Sequence, residues 1–416
     1  MTKPSLPETF DVAVVGAGPG GSTAAAALSA AGARVALIDK AAFPRDKACG
    51  DMVGPRGVAL LGEVGVELRA PKRVVGDMLL VGPSGGRLPL PAESGDTYPG
   101  HGWLISRREF DNALFEHALS LGAEPVTARL SRVEAEGAGY CLKLDDGRRI
   151  EAKSVVGADG ATTQVGRDLG MVDEGASLYG FAVRAYLEET VPTPVISLFR
   201  EHGALFPGYG WIFADVQGVA NFGVGVGVFS DRKRASMATQ ALPGYLELLK
   251  RQGWISAKAE PARRLGGWLK MGGLGVEAAR GRALLVGDAA GLVNPLQGEG
   301  IHAAMDSGLA AARALLAGGD PAPAYLEHLR KTHLPFAQAA SVLQRMALAH
   351  PRLAEAGIRA LTSRFTPGVV GSAWGLYWND LLRGAGQIRG ASLARTMAGA
   401  LDVVTRGAPE RRAWGS

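Results

Sequence analysis

Asp11-Val-Ala-Val-Val15-Gly16-Ala-Gly18-Pro19-Gly20-Gly21-Ser22 is the stretch that decides the fold. A short β-branched run ends in Gly-x-Gly-x-x-Gly, and the small-residue segment Ser22–Ala31 follows. Arg34–Ile38 then reads as a second strand, closed by Asp39 and Lys40. The order strand, tight turn, helix, strand is a βαβ unit. Gly16 permits the turn, Gly18 lets backbone approach a pyrophosphate, and Gly21 lets the helix lie close on the sheet. Pro19 sits inside the motif, and an acid at position 39 is placed for a ribose hydroxyl. The pattern predicts dinucleotide binding and does not choose between a nicotinamide and a flavin dinucleotide.

Two later segments have related shapes. Leu284-Leu-Val-Gly-Asp288 is a buried run delivering an acid to a turn, followed by Pro295-Leu-Gln-Gly298-Glu-Gly300-Ile301 and a predicted helix from about Gly300 to Ala317. A bare helix start there can stabilise negative charge on a ligand. Val155-Val-Gly-Ala-Asp159-Gly160 is a further buried strand ending in a polar turn.

Outward from these motifs the pattern alternates. Ser106–Leu121 has helical spacing. Ala128–Val133, Tyr140–Leu144 and Arg149–Ala152 read as strands, with Asp145-Asp-Gly147 as a hairpin turn. From Leu178 to Val228 residues alternate in the manner of an antiparallel sheet. The expected fold class is α/β: a Rossmann-type nucleotide domain, an inserted and mostly antiparallel β-sheet substrate domain, and a C-terminal helical region. The expected boundaries are 1–70, 101–177 and 271–335 for the first, 71–100 and 178–270 for the second, and 336–416 for the third.

Composition narrows the class. The chain has 416 residues, 47% hydrophobic and 20% charged, which suits a globular protein of two or three domains. Two cysteines, Cys49 and Cys141, exclude a disulfide framework and a Cys-based zinc site. The seven histidines show no metal-ligand spacing, so no metal is expected, and His302 reads as an ordinary helix-start residue, with a position near a flavin as the alternative. The first ten residues lack an apolar core, so no signal peptide is expected, and no apolar run reaches the ~20 residues of a membrane span. The net charge of +5 is uneven: from Phe336 onward there are ten Arg, no Lys and four acids, whereas the first 335 residues are nearly balanced.

The glycine and acid motifs together, in this order, resemble the FAD-binding set of para-hydroxybenzoate-hydroxylase-like flavoproteins over about Asp11 to Gly308. Arg107-x-x-Phe110-Asp111 fits the helix-start arginine that approaches FAD in that group. Phe43-Pro-Arg-Asp-Lys-Ala-Cys49-Gly50-Asp51 resembles the Cys-Gly loop of the geranylgeranyl reductase family. Pro207-Gly-Tyr209-Gly-Trp211-Ile-Phe213, followed by Asn221-Phe-Gly-Val-Gly225, is also similar to that family. Within it the chain looks most like menaquinone prenyl reductases of the actinobacterial type. Ala214 follows Phe213 where the family commonly has Pro.

The resemblance implies FAD as cofactor, NAD(P)H or another reductant as electron donor, and saturation of a C=C bond in a hydrophobic prenyl chain. It implies cofactor contacts at Gly16, Gly18, Pro19, Gly21, Asp39, Lys40, Cys49, Gly50, Asp51, Arg107, Asp159, Asp288, Gly298, Gly300 and Ile301. Such a reduction needs a hydride from reduced flavin and a proton on the other carbon. Cys49 is the candidate proton donor, or else packs on the flavin face. Tyr209 and Trp211 either line an apolar tunnel or pack within a sheet, and Cys141 reads as core. A monooxygenase or epoxidase on the same scaffold shares the FAD motifs and stands as the alternative. The Arg-rich tail, with Trp374, Tyr377 and Trp378 between Arg364 and Arg383, suits peripheral contact with an anionic membrane rather than nucleic acid. The expected location is the cytoplasm, including the inner face of the cell membrane.

Overall fold

The computed structural model describes residues 8–82, 85–90, 98–198, 208–229, 231–295, 297–334, 337, 349–361 and 413–414. The motif that opens the chain folds as β1 (Glu8–Val15), α1 (Pro19–Ala30) and β2 (Val35–Asp39). A long connection leads to β3 (Met52–Val53), α2 (Pro55–Glu63), β4 (Arg73–Val75), β5 (Met78–Val81), β6 (Arg87–Leu90) and β7 (Gly102–Leu104). Then come α3 (Arg107–Ser120), β8 (Glu124–Thr127), β9 (Leu130–Glu136), β10 (Gly139–Leu144), β11 (Arg149–Gly157) and α4 (Gln164–Asp168). The inserted part comprises β12 (Leu178–Glu188), β13 (Val195–Ser197), β14 (Gly208–Val216), β15 (Val219–Phe229), α5 (Ala235–Arg251) and β16 (Ala262–Met271). The chain returns through β17 (Ala279–Arg280), β18 (Ala283–Leu285), α6 (Ile301–Leu316) and α7 (Ala322–Thr332), and α8 (Pro351–Leu361) lies beyond.

Five strands of the first sheet run parallel in the order β18-β11-β1-β2-β8, with β17 antiparallel at one edge. Their near-continuous apolar runs suit burial on both faces. All of Ala13, Val14, Val35 to Ile38 and Val155 to Val156 are buried in one core with α1 and α6. The sequence pattern separates Arg149–Ala152 from the run at Val155; the structure joins them in one strand. β11 pairs antiparallel with β10 at its start and parallel with β1 along its length, so one strand serves both a hairpin and the central sheet.

The second sheet has the order β16-β12-β15-β14-β13-β5-β6 and is antiparallel except where β13 meets β5. One face packs against α5, a helix that the strand-dominated reading of this region did not anticipate, through Ala238, Ala241, Leu242, Tyr245 and Leu249. The other face carries Trp211 and Phe213 against Leu104, Val75 and Met78. Leu104 and Val75 belong to a third, three-stranded sheet, β3-β7-β4, wedged between the two larger ones.

No described helix is long and apolar enough to cross a membrane. Of the predicted C-terminal helices, α8 is described; Trp374, Tyr377, Trp378, Arg383 and Arg389 lie outside the described residues. Pro351 begins α8, where its missing N–H costs nothing. At the chain's end Trp414 is buried, and its indole N–H donates to the Ala290 carbonyl at 2.8 Å.

Candidate active site

Two helix starts face the same side of the first sheet. Gly18 caps α1 without a side-chain hydrogen bond, so the first-turn N–H groups lack a partner from their own cap. Gly16 adopts φ +100°, and a Cβ there would collide with the Ala158 backbone; one on Gly21 would collide with the Gly16 carbonyl. Gly18 differs from both: a Cβ there meets only the Arg45 guanidinium, at 3.6 Å. Internal packing therefore explains Gly16 and Gly21 but leaves the space above Gly18 to be filled from outside the chain. Gly300 caps α6, also without a side-chain bond, and Ile301 is its buried first residue.

The acids take different positions. Asp39 Oδ2 accepts the Ala17 N–H at 2.8 Å and Oδ1 accepts the Ala41 N–H at 2.9 Å, which fixes the carboxylate beside the glycine turn. Lys40 is exposed next to it. Asp159 Oδ2 accepts from the Gln164 and Val165 N–H groups, while its Oδ1 is buried with no hydrogen-bond partner. Burial raises the Asp159 pKa. Asp288 sits in a one-turn 3-10 segment with Lys47 Nζ 3.8 Å away, near the start of α6.

The connection from β2 to β3 joins the layers. Arg45 donates to Asp111 at 2.9 Å, lies 3.9 Å from Asp39 and covers the Phe43 ring. Arg107 is buried, held by two 2.7 Å hydrogen bonds to Asp111. Asp51, at φ +63°, is buried between the second sheet and the start of α3. Its carboxylate accepts from Tyr186 Oη at 2.6 Å, Asn221 Nδ2 at 2.8 Å and the Arg107 N–H at 3.2 Å. Burial pushes its pKa up to about 6, against the opposing pull of Tyr186, Asn221 and Arg184.

Cys49 and the aromatic row meet around this carboxylate. The Asp51 N–H points at Cys49 Sγ at 3.4 Å, and Asn221 Nδ2 donates to the Cys49 carbonyl at 2.8 Å. Asn221 Oδ1 in turn accepts the Trp211 indole N–H at 3.0 Å. A Cβ on Gly50 would strike Phe213, and one on Gly223 would strike the Trp211 ring, so both glycines make room for aromatic side chains. Tyr209, Trp211 and Phe213 project from the same face of β14, and Tyr209 Oη donates to the Gln297 carbonyl in the loop before α6. Gly298 packs beside that hydroxyl. Burial pushes the Tyr209 pKa up, and the nearby Glu299 carboxylate adds to it.

The structure thus brings Cys49, Gly50, Asp51, Arg107, Tyr209 and Trp211 to one wall, with the loop Gly298–Ile301 opposite. Cys141 is core, as the strand pattern predicts. Pro207 lies outside the described residues. Sequence reading did not single out Tyr186, Arg45 or the acceptor role of Asn221, because each acts across strands or loops distant in the chain.

Known proteins share this chain's sequence and fold. A family described as FAD binding domain matches residues 9–213. The menaquinone reductase of Mycolicibacterium smegmatis is 35% identical over 81% of this chain and 84% of its own length. Digeranylgeranylglycerophospholipid reductase 2 of Methanopyrus kandleri is 32% identical over 72% and 75%. A geranylgeranyl bacteriochlorophyll reductase-like protein of Thermoplasma acidophilum has the same fold, with TM-score 0.71, 22% identity, and coverage of 95% of this chain and 100% of that one.

Asp51 gives a pH-dependent signature. Its folded pKa, about 6, lies above the 3.8 of an unperturbed Asp, so its contribution to stability is intact below the lower value and is lost as pH rises through the higher. Full ionisation costs about 3 kcal/mol. Denaturation from pH 4 to 8 should show Asp51→Asn gaining on the wild type by about that amount. A stability difference constant across this range rejects the assignment.

Proposed function

The chain belongs to the geranylgeranyl reductase family of FAD-dependent oxidoreductases, and we propose that it saturates a C=C bond in the prenyl chain of a menaquinone-type lipid. The observation that carries this reading is the Cys49–Asp51 loop, held between an aromatic row and the loop that starts α6, on a chain with 35% identity to a menaquinone reductase. NAD(P)H or another reductant is proposed as the electron source.

The residues fit FAD. The space above Gly18, the uncapped start of α1 and the Arg45 guanidinium make a pyrophosphate cradle. Asp39 is set for a ribose hydroxyl, with Lys40 at the rim, and the unpartnered Asp159 Oδ1 offers a further acceptor. Asp288 and the start of α6, with Gly298, Gly300 and Ile301, would hold the flavin end. When bound and reduced, flavin supplies the hydride.

The rest of the chemistry falls to the protein. Tyr209, Trp211 and Phe213 offer an apolar wall that orients an isolated alkene and excludes water. In this reading Cys49 hands its S–H proton to the second alkene carbon, supported by the way Asp51 and Asn221 fix its peptide surroundings. Arg107 holds the wall from behind through Asp111. The lipid would be drawn from a membrane, and the tail from Phe336, with ten Arg and four acids, is proposed as the contact with its anionic surface at the inner face. On α8, Arg352, Leu353 and Arg359 are exposed together, basic and apolar as such a surface requires.

The decisive experiment is anaerobic. Photoreduced enzyme mixed with prenylated quinone should yield product carrying two extra hydrogens in the side chain by mass spectrometry. A requirement for oxygen would identify a monooxygenase instead. Asp288→Ala should weaken FAD binding about ten- to hundredfold, the worth of a charged hydrogen bond. Asp159→Ala, whose carboxylate also serves the backbone of α4, should weaken it less; equal flavin dissociation constants for wild type and Asp288→Ala overturn the assignment. Wild type should co-sediment with anionic vesicles at low salt and release at high salt, and failure to bind at low salt rejects the membrane contact.

A further inference from the structure

Behind the loop that starts α6 lies a set of acid–imidazole pairs that the reaction as described does not use. Glu299, His302 and Asp306 follow helical spacing along the start of α6. His302 Nδ1 pairs with Glu299 Oε1 at 3.1 Å. His333, at the end of α7, pairs through Nε2 with Asp306 Oδ2 at 2.7 Å, and His328 Nε2 reaches the same oxygen at 2.8 Å. The His302 and His333 rings stand 6.4 Å apart, and both line one small cavity together with Arg56, Asn294, Glu299 and Trp414. A water there finds several polar partners.

Asp306, His328 and His333 are residue types that can hold a metal, but their spacing argues otherwise. Ligands at ~2.0–2.1 Å in a tetrahedron lie about 3.3 Å apart. The two His–Asp separations, 2.7 and 2.8 Å, are those of charge-assisted hydrogen bonds. Each imidazole is therefore tied through one nitrogen to a carboxylate, which fixes its tautomer and leaves the other nitrogen free to exchange a proton.

Resting on the reductase reading above, we propose that His302 and Glu299 deliver the proton that the reaction consumes, reloaded from His333 and Asp306 across the cavity. His302 takes a proton at Nε2 from the His333 side of the cavity and passes the one at Nδ1 to Glu299. Glu299 occupies the loop between Gly298 and Gly300, and its carboxylate lies against the chain that carries Cys49: a Cβ on Gly54, five residues on, would meet Glu299 Oε1 at 2.7 Å. The proton returned there replaces the one lost from Cys49 Sγ to the alkene carbon, so one proton enters for each hydride transferred. Burial works against ionised Glu299, but His302 holds its pKa below the usual carboxylate range. Burial likewise lowers the His333 pKa against the pull of Asp306, which keeps that ring ready to give up a proton. Arg56 of α2 and Tyr325 of α7 are the other ionisable groups facing these pairs.

The test uses full-length, FAD-loaded enzyme in repeated anaerobic turnovers, so that Cys49 must be reloaded each time, with the flavin re-reduced by light and two alternative oxidants for it. Prenyl reduction, which needs a proton, is followed by product mass; ferricyanide, which takes electrons alone, is followed by flavin absorbance. His302→Ala should slow prenyl reduction about 10²-fold, within the usual range for acid–base groups. His333→Ala should slow it less. Both should keep wild-type FAD affinity and ferricyanide rates, and added imidazole should restore the prenyl rate in His302→Ala. Wild-type prenyl rates in both variants, or equal slowing with both oxidants and no imidazole rescue, overturn the relay. Absence of prenyl reduction by the wild type itself removes the reductase reading and the relay with it.

Discussion

The backbones of α1 and α6 meet without a side chain between them. A Cβ on Gly308 would overlap the Gly20 carbonyl, and one on Gly20 would crowd the Ala304 carbonyl and Val286. Close-packed interiors do not yield to such an overlap without moving an element. The contact therefore fixes two helix starts, from opposite ends of the nucleotide domain's sequence, as one rigid unit. Both starts are capped by glycine with no side-chain bond, so both leave N–H groups free for anionic or electron-rich parts of a ligand. The proposed cofactor site depends on this approach, since shifting either helix would misalign one end of an extended dinucleotide placed there.

A second constraint organises the candidate catalytic wall. The Asp51 carboxylate accepts from groups on three elements: Tyr186 on β12, Asn221 on β15 and the backbone at the start of α3. Its left-handed backbone is unfavourable for a non-glycine residue and persists because these bonds over-determine it. The same asparagine positions Trp211 and the Cys49 carbonyl. Apolar wall, thiol and carboxylate are thus one hydrogen-bonded assembly, and its stability is coupled to pH through the buried acid.

Local patterns were legible where local sterics decide. The turn at Gly16, the strand ending at Asp39, the helix over Arg107–Ser120 and the hairpin at Asp145-Asp-Gly147 all follow from residues within a few positions of one another. The fusion of two short runs into β11 was not legible, because the partner strand changes along its length. Nor was α5, whose sequence includes Pro243 and whose apolar face is defined by the sheet it covers. The histidines likewise show no motif in sequence: His328 and His333 meet Asp306 only because α7 folds back on α6.

By itself the sequence determined that this protein has a parallel nucleotide sheet, a glycine turn for a pyrophosphate, and the loops of a flavin-dependent prenyl reductase. Those features are encoded in contiguous residues, where backbone conformation and side-chain size act over one turn. Tertiary structure alone decided which groups share a proton, which acid is buried and which glycine faces empty space. These are properties of desolvation and of contacts between residues far apart in sequence, such as Asn221 with Asp51, 170 positions away, and no short segment carries them.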